Sequence, residues 1–559
     1  MVEQAANGVR PVDGGVAIWR DGEFVFGLAE ERATRRKYDG GFRGSLAVGL
    51  DQLGISYNQV DAYSFVSYGE AHSAQIDHIL LQAPELRAFA DRVHVAGSHH
   101  YAHAIGAAAL SPWEDTLVAV LDNEGLILGR QFESQVELNA MERVSFYAAS
   151  SHSVDLVTRD LFGRTDVSLG EAYRRFTYYC GFPSHQFAGK TMALAAYGDP
   201  YAFGELEIFP GRQGPLAVDM AGGYSTPAES VVDFFSRHGV TVSAPRGPGD
   251  PITKDHLNAA AFIQHQLEAA VTARLRELLE ATGLRTLCVT GGVAYNCKLI
   301  GHLERELSVP VFVPPSPGDQ GLGVGAALSY LPQKDRRGSR TSAEARLGGI
   351  HPISRTEAES GASSARSTVT RATRPQSQVD SAVQSLIAGS IIAIVDGKSE
   401  FGRRALGARS FIALPQQRPM QRLRAIKRRE WFRPFGVSVL GSMAMEVFDG
   451  AMPDRFMLRT AKVAAMEAVE GLVHRDGTLR AQWVDESEET LLALILRALL
   501  AEGLPAILVN TSLNLDSEPI VETDSQALDL FCRYTEIDKL ILTNSGYVFS
   551  RTKPSSPGE

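Results

Sequence analysis

The residues best suited to chemistry lie in Ser98-His99-His100-Tyr101-Ala102-His103-Ala104, which holds three of the chain's fourteen histidines. His99 and His103 are four residues apart, so a helix would carry both imidazoles on one face. That arrangement suits two nitrogen ligands of one metal ion; it equally suits two histidines that merely cap and line a helix. Further on, the apolar run Thr116 to Leu121 ends in Asp122-Asn123-Glu124-Gly125, a strand whose carboxyl-terminal turn presents a carboxylate. A second concentration of chemistry is cationic: Gly402-Arg403-Arg404-Ala405-Leu406-Gly407-Ala408-Arg409-Ser410, then Lys427-Arg428-Arg429-Glu430-Trp431-Phe432-Arg433-Pro434-Phe435. Glu400 and Glu430 are the only acids between Gly397 and Met445. The surplus of planar guanidinium forks points to a phosphate or carboxylate ligand.

These residues need elements to hold them. The His segment opens a helix that continues as an apolar run through Ala109. Asn258 to Ala281 carries apolar residues at helical spacing, with Gly283 as its stop. Thr286 to Thr290 is a strand running into Gly291-Gly292-Val293-Ala294-Tyr295-Asn296. Val309 to Pro314 is a strand running into Pro317-Gly318-Asp319-Gln320-Gly321-Leu322-Gly323-Val324-Gly325. Two glycine turns in succession, each after a strand and before a helix, suggest a nucleotide-type site, because bare backbone amides approach phosphates there. Asp21-Gly22 reads as a hairpin turn, and the Glu30 to Lys37 run taken alone as a solvated charged loop. From Gln333 to Gln378 long apolar runs vanish, which reads as a connector, with only Leu347 to Ile353 ordered. Apolar periodicity resumes at Val379 to Leu386, followed by strands at Ile391 to Val395 and Ala506 to Val509. The second of these ends in Asn510-Thr511-Ser512-Leu513-Asn514, which offers amide and hydroxyl donors or plain turn chemistry. The expectation is an α/β protein of two domains: 1–335 and 379–559, joined by 336–378.

Composition sets the class. The chain has 559 residues, of which 44% are hydrophobic and 21% charged, as in ordinary globular proteins. A formal net charge of −10 argues against broad nucleic-acid binding. The four cysteines form no CxxC pair, so disulfides and zinc-thiolate sites are not expected and a reducing cytoplasm is. Residues Met1 to Arg10 lack the apolar core of a signal peptide, and no run approaches the length of a membrane span.

The ordered set of motifs resembles the NodU/CmcH O-carbamoyltransferases. The resemblance is carried by the His segment, Gly189-Lys190-Thr191-Met192-Ala193-Leu194-Ala195-Ala196-Tyr197-Gly198, the two glycine turns with Pro317-Gly318-Asp319, Glu400 to Ser410, Arg429 to Phe435, Asn510 to Asn514, and Glu518-Pro519-Ile520-Val521. It implies an actin-like ATPase (ASKHA) fold followed by a smaller YrdC-like α/β domain. It also implies an ATP-dependent transfer of a carbamoyl group from carbamoyl phosphate, by way of carbamoyl adenylate, to a hydroxyl of a small-molecule natural product. The other readings are a threonylcarbamoyl-type tRNA transferase and a degenerate ATP-binding regulatory protein.

Position by position, the resemblance implies His99, His103, Asp122 and Asp319 as ligands of a divalent metal, with Fe(II) preferred over Mn(II) or Zn(II) and Mg(II) accompanying ATP. It implies Arg404, Lys427, Arg429, Arg433, Arg480 and Asn510 around carbamoyl phosphate and ATP. Gly291, Gly292, Asn296 and Gly321 would hold the adenylate in the first domain, and Lys37 would lie at the transfer site. The family's amino-terminal Gly-His-Asp is altered here: Val12 stands at the histidine and Asp13 keeps the carboxylate. An alcohol needs a base or a metal to become nucleophilic, so Asp13, His100 and the metal are the candidates to replace it. The acceptor is expected to be a small molecule, with no nucleic acid or membrane as partner; the oligomeric state is left open, with a homodimer as one option.

Overall fold

In the computed structural model, the described residues are 13–66, 72–123, 125, 127–128, 140–162, 167–210, 216, 218–220, 226–331, 345–450, 452–465, 467–469, 471–515 and 517–551. Val12 and Glu124 lie outside them. The chain forms two compact units, Met1–Phe24 with Ser56–Ala343, and Val25–Ile55 with Glu344–Glu559.

The first unit is built on a six-stranded sheet. Val311–Phe312, Leu287–Thr290 and Thr116–Leu121 run parallel. Ala140–Ala149 continues the sheet antiparallel to Thr116–Leu121 and pairs in turn with Val154–Phe162. Every residue of Thr116–Leu121 is buried, as expected of a central strand covered on both faces. The carboxyl ends of the three parallel strands lead to Asp122, Gly291 and Asp319, the end at which open α/β sheets place their ligands. Two helices follow the sequence reading closely. His99–Leu110 is capped by the Ser98 hydroxyl, which accepts from the Tyr101 amide. Lys254–Thr282 ends at Gly283 in the left-handed region.

The second unit is organised by a ten-stranded sheet, in which Ile392–Val395, Arg409–Ala413, Ile507–Ser512, Gly436–Leu440 and Thr478–Val484 lie side by side. Its two faces feed two cores. Ile392, Ile394, Ile412 and Leu508 pack into one with helices Pro375–Ile387 and Leu491–Ala501. Ala393, Val395, Phe411, Ala413 and Val509 pack into the other. This is the period-two alternation of a strand buried on both faces.

Two boundaries differ from the sequence reading. The stretch 336–378 is not a bare connector. It carries helix Arg355–Ser364, opened by a Ser354/Glu357 capping box, and strand Ser367–Arg371, which pairs with Tyr547–Arg551 at the end of the sheet. Its polarity is that of an edge strand and of a helix whose buried residues are only Ala358, Gly361 and Ala362. The small side has a reason: a Cβ on Gly361 would stand 2.5 Å from Leu528.

The second difference is that residues 25–55 belong with the carboxyl-terminal unit, and the Glu30 to Lys37 run is not a solvated loop. Glu30, Glu31 and Arg32 are buried. Glu30 accepts from the amides of Gly44 and Ser45 and from the Ser45 hydroxyl at 2.6–2.8 Å, and Glu31 accepts from the Tyr38 amide at 2.8 Å. Arg32 donates to the carbonyls of Val521 and Gly402, and Arg35 to those of Ile520 and Pro519. Buried charge is tolerated here because each group meets backbone partners.

Candidate functional site

The helix that begins at His99 directs two imidazoles to the ends of two strands. His103 Nε2 lies 3.2 Å from Asp122 Oδ2 and 3.4 Å from Asp319 Oδ1; His99 Nε2 lies 3.5 and 3.6 Å from the same two oxygens. The four donor atoms all fall within 4.8 Å of one another. His103 Nε2 and Asp122 Oδ2 are buried, and neither makes a hydrogen bond. Charge-assisted hydrogen bonds run to ~2.7–2.9 Å, and these separations are longer. Donors held ~2.1 Å from one ion at tetrahedral angles would stand ~3.4 Å apart. The spacing and the two-imidazole, two-carboxylate set therefore fit a divalent cation.

The two carboxylates draw positive charge to this point. Burial alone would lower the His99 imidazole, but Asp122 and Asp319 lift it to about 9. Burial would raise Asp122, but His103 and His99 hold it well below the carboxylate range. Asp319, which burial and Asp122 would both raise, is held down to about 2 by the same two imidazoles.

The surroundings fix these side chains. Ser98 Oγ donates to Glu142 Oε2 at 3.1 Å while capping the His helix, and Arg159 pairs with Glu142 at 3.0 Å. The Asn123 amide donates to Asp122 Oδ1 at 2.7 Å. Gly291 adopts φ +90°, and a Cβ there would stand 2.3 Å from the Leu121 carbonyl oxygen. At Gly325 a Cβ would stand 1.8 Å from the Ala102 carbonyl oxygen, so glycine lets helix Leu322–Tyr330 press on the His helix. These two glycines thus serve close approach within the protein. Gly292, by contrast, faces Asp122 Oδ1. Gly321 begins that same helix against the Ser316 carbonyl.

The remaining expected residues of this unit divide. His100 turns away from the quartet: its Nδ1 lies 2.7 Å from Ser145 Oγ, its Nε2 faces Gly125, and burial and the neighbouring His99 push it down to about 3. Asp13, at φ +63°, accepts from Gln320 Nε2 at 3.2 Å, beside Asp319 in sequence. Asn296 does not offer its amide to a ligand. It caps helix Cys297–Leu307 and exchanges both amide bonds with Gln264.

In the second unit, Glu400 Oε1 accepts from the amides of Leu406, Ala408 and Arg409 at 2.7–3.1 Å and shapes the arginine loop. Arg404 is half-buried in that loop. Arg409 is spent on the carbonyls of Glu522, Gly397, Ala408 and Gly349. Lys427 differs from the expected phosphate cation. Its ammonium meets the Ser512 carbonyl, the Asn514 carbonyl and Asn514 Oδ1 at 2.6–2.8 Å, so its three protons already have acceptors.

Arg429 stacks on Phe435 at 4.4 Å and donates to the Pro434 carbonyl. Burial, then Arg433 and Arg480, hold its pKa well below the usual value, which marks three guanidiniums as neighbours. Arg433 pairs with Glu430 at 3.0 Å. Asn510 is buried on the adjacent strand, with its Nδ2 donating to Ser438 Oγ at 2.8 Å. Lys37 belongs to this unit, its Nζ 5.5 Å from the Tyr38 ring centroid. Sequence reasoning missed Glu142, Ser438 and Gln482. The signal for Gln482 was present: Arg480 and Gln482 are two apart in a strand and so share a face.

Residues 69–328 match the family described as carbamoyltransferase N-terminus, and residues 383–548 the carbamoyltransferase C-terminus. Nodulation protein NolO of Bradyrhizobium diazoefficiens is 33% identical over 473 residues, covering 82% of this chain and 79% of that protein. The chain belongs to the NodU/CmcH carbamoyltransferase family.

Nodulation protein NolNO of Sinorhizobium fredii is 28% identical over 580 residues, 98% of this carbamoyltransferase and 80% of its relative. The uncharacterized protein sll1178 of Synechocystis is 28% identical over 611 residues, covering 97% and 95%. Among solved structures, HypF of T. kodakarensis shares 15% identity at a TM-score of 0.31, covering 59% of this chain and 48% of that one, a likeness too low to carry the fold. Both halves of the family are thus represented in this carbamoyltransferase, one holding the histidine-aspartate quartet and the other the arginine cluster. Among the described residues, no helix is long and apolar enough to cross a membrane.

Proposed function

We propose that the protein is an ATP-dependent O-carbamoyltransferase acting on a hydroxyl of a small-molecule natural product, its first unit actin-like and its second YrdC-like. The observation that carries the reading is the convergence of His99, His103, Asp122 and Asp319 donors within 4.8 Å, in a chain that also gathers Arg429, Arg433 and Arg480.

In the second unit the guanidiniums bind the phosphates of carbamoyl phosphate and ATP. Water cleaves carbamoyl phosphate to carbamate and phosphate. A carbamate oxygen then attacks the α-phosphorus of ATP, and pyrophosphate leaves with the electron pair of the broken P–O bond. The arginines stabilise negative charge that grows on the departing groups. In the first unit an acceptor hydroxyl attacks the carbamoyl carbon, AMP departs, and the hydroxyl proton is lost to a base. His99, His103, Asp122 and Asp319 would hold a divalent metal, Fe(II) first among candidates, which supplies Lewis acidity toward an oxygen of the adenylate. Asp13, next to the Gln320 amide, is the residue of this chain proposed to take the hydroxyl proton. His100, held neutral by burial, braces Ser145 and the turn at Gly125.

The test uses the full chain with Mg(II), ATP, Fe(II) and ¹⁴C-labelled carbamoyl phosphate, offered a panel of hydroxylated natural products. Pyrophosphate release that requires carbamoyl phosphate, with label appearing in one acceptor, is the expected result. Folded protein releasing no pyrophosphate overturns the reading.

A further inference from the structure

Strand Ala140–Ala149 carries one residue too many for its partner. Its pairing with Val154–Phe162 sets Glu142 against Leu161 and then Val144 against Asp160, so Arg143 is an extra residue and the pair forms a bulge. Side chains alternate along a strand. Tyr147 and Ala149 pack against Ala104, Ala107 and Ala108 of the His helix, and Ser145 Oγ lies 2.7 Å from His100 Nδ1. Phe146, on the opposite face, lies under the Arg274 guanidinium of helix Lys254–Thr282 at 5.6 Å. By parity alone Glu142 would lie with Phe146, away from the histidines. The extra residue reverses the parity and turns Glu142 toward the His helix.

In that position Glu142 touches two of the elements that carry ligands. Its carboxylate, 0% exposed, accepts from Ser98 Oγ at 3.1 Å, and Ser98 caps the helix whose first residue is His99. Arg159 holds the same carboxylate at 3.0 Å. The Glu142 carbonyl accepts from the Gly125 amide at 2.7 Å, which ties down the turn leaving Asp122. A Cβ on Gly125 would stand 2.9 Å from Glu142 Cβ, so glycine lets the turn lie against this residue. Arg143, the other member of the bulge, donates to the Asn123 carbonyl of that turn at 2.9 Å. A buried carboxylate costs free energy that a neutral side chain of similar size would not. Orientation explains its place at the cap, because the first turn of a helix lacks intrahelical partners for its N–H groups and frays unless it is held.

We infer that Glu142 is a positioning residue of the metal site, re-aimed by the Glu142–Arg143 bulge to set the first turn of the His helix, and that it governs how tightly His99, His103, Asp122 and Asp319 hold a divalent cation. This rests on the metal reading proposed above and adds the residue that keeps the His helix and the Asp122 turn in register. Groups that orient metal ligands change the affinity by about 10- to 100-fold when they are removed.

The experiment titrates Co(II) into the metal-free full chain and follows both the calorimetric affinity and the visible d–d bands, which report the geometry of the ligand set. Wild type is expected to take up a single Co(II) at the quartet, and His99→Ala with His103→Ala to abolish that uptake. Glu142→Leu should weaken Co(II) binding by about 10- to 100-fold and shift the bands. Glu142→Gln, which keeps an oxygen acceptor for Ser98, should stay within about threefold of wild type. Ser98→Ala, which cuts the same link from the helix side, carries the test if Glu142→Leu folds poorly, and Ser98→Thr should restore the affinity. Wild-type affinity and unchanged bands in Glu142→Leu and Ser98→Ala would overturn the proposal. Glu142→Gln binding as weakly as Glu142→Leu would assign the effect to the charge rather than to the cap and overturn it too. A wild type that takes up no Co(II), or uptake that survives loss of both histidines, is a different result and overturns the metal site itself.

Discussion

The histidine-aspartate quartet and the arginine cluster solve opposite electrostatic problems. The quartet brings two carboxylates and two imidazoles together, so that with the imidazoles neutral four lone-pair donors converge on one point and the carboxylates leave it negative. The arginine cluster leaves like charges together, to the point that Arg433 and Arg480 help depress Arg429. One site is poised for a cation and the other for an anion. The difference teaches how far residue type alone may be trusted. Histidines at i and i+4 beside strand-end carboxylates have few structural uses, whereas arginine and lysine have many.

The sharpest way to break the comparison is to empty one site and watch the other. His99→Ala with His103→Ala should cut label transfer to the acceptor by ~1,000-fold or more, while carbamoyl phosphate-dependent pyrophosphate release stays within a factor of two or so of wild type. Loss of both activities together would show that the two sites are not separable.

Within the second unit, Arg480→Gln and Lys427→Met should part company. The arginine change is expected to lower pyrophosphate release by about 100-fold with urea stability nearly unchanged. The lysine change leaves the Ser512 and Asn514 acceptors unpaired and should cost ~3 kcal/mol in urea unfolding, with the activity of the folded fraction largely kept. A reversed pattern would return Lys427 to the ligand site.

The smallest effect concerns Asp524, which is buried, accepts from the Ser545 hydroxyl and is raised to about 6, mainly by burial. A carboxyl whose folded pKa lies above its unfolded value binds more protons when folded. Its stabilising contribution is complete below about pH 4 and is lost as pH rises through about 6, by at most ~3 kcal/mol. Asp524→Asn should flatten that part of the stability profile relative to wild type, measured by urea midpoints at pH 4.5 and 7. Equal slopes would refute it.

The sequence made some of this legible for definite reasons. The His helix and Asp122 were visible because an apolar run follows the histidines and another unbroken apolar run, Thr116 to Leu121, ends at the carboxylate. The Lys254–Thr282 helix showed its apolar face and its glycine stop. The Glu30 to Arg35 run was not legible, since nothing local distinguishes carboxylates that bind backbone amides from carboxylates in water. The Ser367–Arg371 strand was hidden by its polar edge. Lys427 was misread because its acceptors, Ser512 and Asn514, are 85 and 87 residues away. Asn296 looked like a nucleotide ligand because a helix cap and a ligand-binding amide call for the same residue type.

The pairing of Arg32 with the Val521 carbonyl spans 489 residues of chain. On a ribosome, the segment 25–55 is made well before the Pro519, Ile520 and Val521 carbonyls that Arg35 and Arg32 meet, which lie 484 to 489 residues later. Until then Arg32 and Arg35 wait without the carbonyls that satisfy them, while Glu30 and Glu31 find their amide donors within the segment itself. The second unit is consequently a late-closing one of high contact order. A fragment beginning at residue 344 should leave the Pro519 to Val521 carbonyls bare, and adding a 25–55 peptide in trans is the natural way to restore it.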